Sequence, residues 1–155
     1  MTADPVTSVP AADPAAAVAH FDARLRFETD PDDVASALAD GGEPGFVILD
    51  ARGAEAFDAA HLPGAFNLPR PIRREDVDAL PERLIVVYCW GPGCNGATKA
   101  AAELAGLGRP VKEMIGGFEY WVREGHPVEG RDNAVARGAD NHGLVKLRDA
   151  VSCLC

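Results

Sequence analysis

The strongest signal in the chain is an unbroken apolar run, Leu84-Ile85-Val86-Val87-Tyr88, with a charged approach at Glu82-Arg83 and a glycine-rich exit. Such a run predicts a strand buried on both faces, as in a parallel sheet. Residues 46–49 repeat it and end in Asp50; residues 111–115 give another strand and 66–68 a short one. Residues 25–28 alternate apolar and polar side chains, which predicts a short edge strand.

Between these runs lie helix signals. Asp13-Pro14 has the form of an N-cap followed by proline at the first helical position, opening a helix through Phe21. Thr29-Asp30-Pro31-Asp32-Asp33 opens a second, with acidic residues where the helix dipole favours them and Val34, Ala37 and Leu38 as its stripe; Gly41-Gly42 stops it. Residues 51–60 predict a helical turn, 72–80 a helix and 118–123 a short closing helix. Residues 95–107 place Ala97, Ala101, Leu104 and Leu107 near one face and stop at Gly108 and Pro110. His61-Leu62-Pro63-Gly64-Ala65 and Gly116-Gly117 are turns. Met114, Phe118 and Trp121 are core candidates, whereas His20 and His126 suit surface or turn positions. Strands alternating with helices imply an α/β fold with a parallel sheet of about five strands and helices on both faces. Reactive groups in such folds lie beyond the carboxyl ends of the strands. That rule singles out Cys89, His61 and Asp50.

Composition narrows this picture. The 155 residues suit one domain, and 47% hydrophobic content suits a globular one. We expect an N-terminal arm and helix over 1–23, the domain over 24–129, and a polar tail over 130–155 ending in Cys153-Leu154-Cys155. No internal repeat is visible. A net charge of −9 disfavours nucleic acid and anionic membranes as partners. No apolar run approaches the roughly 18 residues of a membrane span, and residues 1–18 lack the basic and apolar regions of a secretion signal. Four cysteines in two clusters are too few for a disulfide framework, so a reducing cytoplasm is the expected setting. Oligomeric state is not set by any of these features.

The chemistry concentrates after the strongest strand. Cys89 is followed by Trp90, Gly91, Pro92, Gly93, Cys94, Asn95 and Gly96, and then by a helix. Glycines let backbone amides turn inward, and a helix N-terminus adds partial positive charge. Both lower a thiol's pKa and suit a sulfur anion. The opposing reading is a buried cysteine with only a packing role.

At this point several segments, in order, resemble the rhodanese family of single-domain sulfurtransferases. Val47-Ile48-Leu49-Asp50-Ala51-Arg52 resembles its early strand and D-x-R. Glu55-Ala56-Phe57-Asp58-Ala59-Ala60-His61-Leu62-Pro63-Gly64-Ala65 resembles its E-x-[YF]-x3-H-[IL]-P-G-A segment. Val86-Val87-Tyr88-Cys89 resembles the strand carrying its catalytic cysteine. Ile115-Gly116-Gly117-Phe118-Glu119-Tyr120-Trp121 resembles its G-G-x-x-x-W, and Gly125-His126-Pro127-Val128 its G-[YF]-P-V with histidine in the aromatic place.

The resemblance implies that Cys89 takes a sulfane sulfur from a small donor, thiosulfate or a thiol persulfide, holds it as a persulfide and yields it to cyanide or a thiol. No metal or cofactor is implied. Amides of the loop from Trp90 to Gly96, except that of Pro92, would stabilise the anion. Asp50, Arg52 and His61 would support the site from behind, with a purely structural role as the alternative for each. Two departures stand out. The loop has no Lys or Arg between Cys89 and Thr98, Lys99 being the nearest cation, and it is about two residues longer than the common loop. The first brings a persulfide or polysulfide donor into play and removes the arginine clamp that phosphatase-like relatives need. It also supports a silent rhodanese-fold binding or redox-sensing module as an alternative. Trp90 either walls the pocket or is an exposed loop aromatic.

Cys94 is open to two readings, a redox partner of Cys89 or a small packing residue at the helix start. Cys153 and Cys155 could relay sulfur, bind a soft metal alone or with Cys94 and His142, or be incidental thiols on a disordered tail. A zinc module built from Cys89, Cys94, Cys153 and Cys155 is the sharpest rival to the enzyme.

Overall fold

Asp13 and Asp30 start the first two helices by the same device. The Asp13 carboxylate accepts from the Ala15 and Ala16 amides, that of Asp30 from the Asp33 amide, and each is followed by proline. In the computed structural model, which describes residues 4–131, these are α1 (Pro14–Phe27) and α2 (Pro31–Ala39). Helix α1 runs past the expected stop at Phe21, and the strand expected at 25–28 is helical up to Phe27; only Glu28–Thr29 forms β1. Residues 23–26 are Ala, Arg, Leu and Arg, all strong helix formers. Arg24 also bonds Glu28 one turn on at 2.9 Å. Propensity and pairing outweigh a short alternation.

The remaining elements are β2 (Phe46–Asp50), α3 (Ala54–Ala59), β3 (Phe66–Asn67), α4 (Arg74–Asp78), β4 (Leu84–Tyr88), α5 (Gly96–Gly106), β5 (Val111–Met114) and α6 (Gly117–Arg123). They build an α/β fold around a five-stranded, all-parallel sheet in the order β1-β5-β4-β2-β3. Strands β2 and β4 sit inside, which is why their sequences are continuously apolar.

Side-chain alternation divides the core in two. Ile48, Val86 and Tyr88 face one way and pack with Val34 of α2 and with Phe118, Trp121 and Val122 of α6. Val47, Leu49, Ile85 and Val87 face the other way, against Val77 of α4 and Ala100 and Leu104 of α5. Met114, Phe118 and Trp121 are buried, as their spacing suggests. Helix α1 buries no residue and leaves Val18, Phe21, Leu25 and Phe27 exposed. Among the described residues, no helix is long and apolar enough to cross a membrane.

Candidate functional site at the carboxyl end of the sheet

Strand β4 ends at Tyr88, and the next residue begins the site. Cys89 continues the side-chain parity of Val87 and shares a cleft with the first turn of α5. Its side chain is only 2% exposed, yet it borders a cleft of about 630 Å³. Gly91, Pro92, Gly93, Cys94 and Asn95 of the loop, Ala97, Thr98 and Lys99 of α5, and residues 113–117 complete the cleft wall. Trp90 and Gly96 do not line it.

The loop is held from both sides. The Cys94 amide donates to the Gly91 carbonyl at 3.0 Å, closing a turn. That amide therefore serves the loop itself rather than facing inward. The Cys94 thiol donates to Cys89 Sγ at 3.2 Å, and the Gly96 amide donates to Cys94 Sγ at 3.4 Å. From behind, the first amides of α6 take the loop's carbonyls: Phe118 N–H donates to Cys89 O at 2.9 Å and Glu119 N–H to Trp90 O at 2.8 Å. Gly117 makes this approach possible. Its φ is +60°, and a Cβ there would fall 2.7 Å from Cys89 O and 2.9 Å from Gly91 N.

Asp50 and Arg52 lie on the other face of the sheet. Asp50 is in register with Tyr88, and residues two apart on an extended chain share a face, which brings Arg52 into line with both. The Arg52 guanidinium bonds both Asp50 oxygens, at 2.6 Å from Nη2 to Oδ2 and 3.0 Å from Nε to Oδ1, and donates to Ala60 O at 2.7 Å. The Tyr88 hydroxyl donates to Asp50 Oδ2 at 2.5 Å and accepts from the Leu62 amide. Asp50 is 0% and Arg52 1% exposed. Burial opposes the charge on Arg52, but the hydrogen bond and charge of Asp50 outweigh it and raise the guanidinium pKa. Burial, then the Asp50 charge, push the Tyr88 phenol well above its usual value. The guanidinium also lies 4.0 Å from the Phe118 ring centre, 4.8 Å from that of Trp90 and 5.5 Å from that of Tyr88. Trp90 therefore roofs Arg52 and reaches Phe118 edge-on; it is neither an exposed loop aromatic nor a wall of the cleft.

His61 lies outside the cleft. Its ring stacks on Phe57 at 3.8 Å, its Nδ1 meets Phe57 O at 2.7 Å, and its backbone bridges to Glu129. This geometry fixes a turn beside the Ala60 carbonyl that Arg52 holds. Cys153, Cys155 and His142 fall outside the described residues, and so do the four-thiol zinc site and any sulfur relay through the tail.

Two features went unnoticed in the sequence, Glu113 in the cleft and Tyr88 behind it. Glu113 lines the cleft, and the Thr98 hydroxyl bonds its carboxylate at 3.0 Å. Lys99, already the nearest cation in the sequence, lines the same cleft and is its lone cation among the described residues. Tyr88 joins Asp50 and Arg52. A pairing of β5 beside β4, with Glu113 opposite Val87, would have pointed to Glu113.

A parallel α/β sheet that delivers a cysteine from its central strand into a glycine-rich loop before a helix defines a class of thiol-bearing cleft proteins. The model of the rhodanese-like domain matches residues 30–124, and the chain belongs to that family. It is 35% identical over 109 residues to the thiosulfate sulfurtransferase GlpE of Pseudomonas syringae, covering 66% of this chain and 93% of that one. It is 37% identical over 86 residues to an HTH-type transcriptional regulator of Mycobacterium tuberculosis, covering 53% of this chain but only 37% of the regulator. A crystal structure of a Bacillus halodurans protein is similar with a TM-score of 0.74 and 43% identity, over 77% of this chain and 88% of that one. The rhodanese-like domain of an Anabaena protein is similar with a TM-score of 0.61 and 30% identity, over 69% and 81%.

Proposed function

We propose that this protein is a sulfurtransferase that moves sulfane sulfur from thiosulfate or a thiol persulfide to a thiophilic acceptor through a persulfide on Cys89. The observation that carries the reading is the position of Cys89: just past the end of the central strand, buried, and lining the same cleft as the first turn of α5. The likeness to thiosulfate sulfurtransferases supports the same chemistry. The Cys89 thiolate attacks the outer sulfur of the donor. An S–S bond forms, the donor's own sulfur bond breaks, and sulfite or a thiolate leaves with the electron pair. Cyanide or a thiolate then attacks the terminal sulfur and returns Cys89 to the thiolate. Two half-reactions on one nucleophile predict ping-pong kinetics.

Amides of the loop and of the first turn of α5 favour the anionic sulfur. Asp50 and Arg52 act at a distance, holding Trp90 and the loop rather than touching the donor. Intact-mass measurement after treatment with thiosulfate or glutathione persulfide, with released sulfide counted, tests the reading. One sulfur taken from the donor per chain, either held on Cys89 or given up as sulfide, is expected, and neither in Cys89→Ser. A chain that neither gains sulfur nor releases sulfide with either donor overturns it and favours a binding or redox-sensing module, the reading supported by the lack of any Lys or Arg between Cys89 and Thr98.

A further inference from the structure

Cys94 is placed to do more than pack. The Gly91–Cys94 turn folds the loop back, so two sulfurs five residues apart in sequence meet at 3.2 Å. Cys94 is half-buried on the cleft wall, whereas Cys89 is buried. Helix α5 carries no acidic residue in its first turn, and its cap residue Asn95 makes no side-chain capping bond. Its first amide instead points at Cys94 Sγ. A sulfur in that place sits at the helix's positive end, where negative charge is favoured.

We propose that Cys94 is a resolving thiol that converts the Cys89 persulfide into a Cys89–Cys94 disulfide with release of sulfide. The inference rests on Cys89 accepting sulfur. The Cys94 thiolate attacks Sγ of Cys89–S–SH. The Cys94–Cys89 sulfur bond forms, the bond from Cys89 Sγ to the outer sulfur breaks, and HS⁻ leaves with the pair. The outer sulfur is reduced to sulfide, the Cys94 sulfur is oxidised from thiolate to disulfide, and Cys89 Sγ exchanges one S–S bond for another. An external dithiol then reduces that disulfide and restores both thiols. With a dithiol as the final reductant, the protein becomes a sulfide-releasing reductase of sulfane sulfur.

The geometry selects the inner sulfur as the point of attack. Cys94 already touches Cys89 Sγ at 3.2 Å, and in-line attack there requires the outer sulfur, one S–S bond of about 2.05 Å away, to be turned to the far side of Sγ. Forming the disulfide needs an approach of about 1.2 Å from the 3.2 Å contact, within reach of a loop that carries glycine at 91 and 93.

The test is a single turnover of the full-length protein with thiosulfate, and separately with glutathione persulfide, under anaerobic conditions. Sulfide is counted and the chain is digested with trypsin. Residues 84–99 contain no internal Lys or Arg, so one peptide carries both cysteines. The wild type is expected to release one sulfide per chain and to leave this peptide lighter by two hydrogens. Cys94→Ser is expected to keep one extra sulfur on Cys89, with sulfide release at background. The inference is overturned if the wild type keeps its extra sulfur on Cys89, if that sulfur appears on Cys94, or if Cys89 is joined to Cys153 or Cys155. Because the wild-type readout stands alone, a poorly folded variant does not rescue the idea. Stable loading of both forms without sulfide refutes only the resolving role, whereas no sulfur on either form refutes the sulfurtransferase reading as well.

Discussion

Asp50, Arg52 and Tyr88 satisfy one another inside the sheet, and among the described residues no buried side-chain nitrogen or oxygen lacks a partner. Removing one member strands the others. Arg52→Ala is expected to cost about 3–5 kcal/mol, because Asp50 is left as an unpaired buried charge; urea unfolding measures it. Tyr88 gives a pH signature. Its folded pKa lies above its unfolded value of about 10, so its stabilisation is complete below that pH and is lost as pH rises beyond it. Tyr88→Phe is expected to flatten the alkaline limb of a stability–pH curve, and an unchanged limb would remove Tyr88 as its source. Glu113 faces the cleft, where a dianionic donor would meet repulsion. Glu113→Gln is expected to raise kcat/KM for thiosulfate about fourfold, the effect of one charge on a dianion at about 10 Å in water. The D-x-R spacing made Asp50 and Arg52 visible in the sequence. Tyr88 stayed hidden because an aromatic residue ending a strand has an ordinary packing explanation; only the register opposite Asp50 gives its hydroxyl a task.

Helices and strands were legible wherever a periodic signal coincided with a stop. Residues 84–88 form β4 as expected, and α5 begins and ends within a residue of its sequence limits. Asp30 caps α2 as its spacing suggested. The miss at α1 came from four alternating residues too few to outweigh helix propensity. Loop chemistry was less accessible: the glycines announced a curled backbone, but not that α6 would clasp Cys89 and Trp90 by their carbonyls. Gly117 is the joint of that clasp. Gly117→Ala puts a Cβ into the Cys89 loop at a positive φ, a strained position. It is expected to lower stability by about 1–3 kcal/mol and to depress turnover even at temperatures where the protein stays folded, as read by thermal melts alongside sulfur-transfer rates.

The order of the strands was not legible. Element identities follow from local pattern, but the sheet places β1, first in the chain, beside β5, last in the chain, and that choice rests on contacts across the whole fold. Net charge acts over the same range. At −9 the protein repels an anionic donor, and salt screens that repulsion. Raising ionic strength is therefore expected to increase kcat/KM for thiosulfate about twofold to threefold while leaving that for an uncharged organic trisulfide flat. Equal responses would place the salt effect elsewhere.

The clasp by Phe118 and Glu119 has a bearing on synthesis. Cys89 leaves the ribosome almost thirty residues before these amides do, and a domain of this kind docks its parts together rather than one by one. During that interval the nascent thiol has no floor to rest on and meets cellular oxidants and foreign disulfides as an ordinary cysteine would. The speed of translation during that interval thus sets how long the future nucleophile stays open to capture.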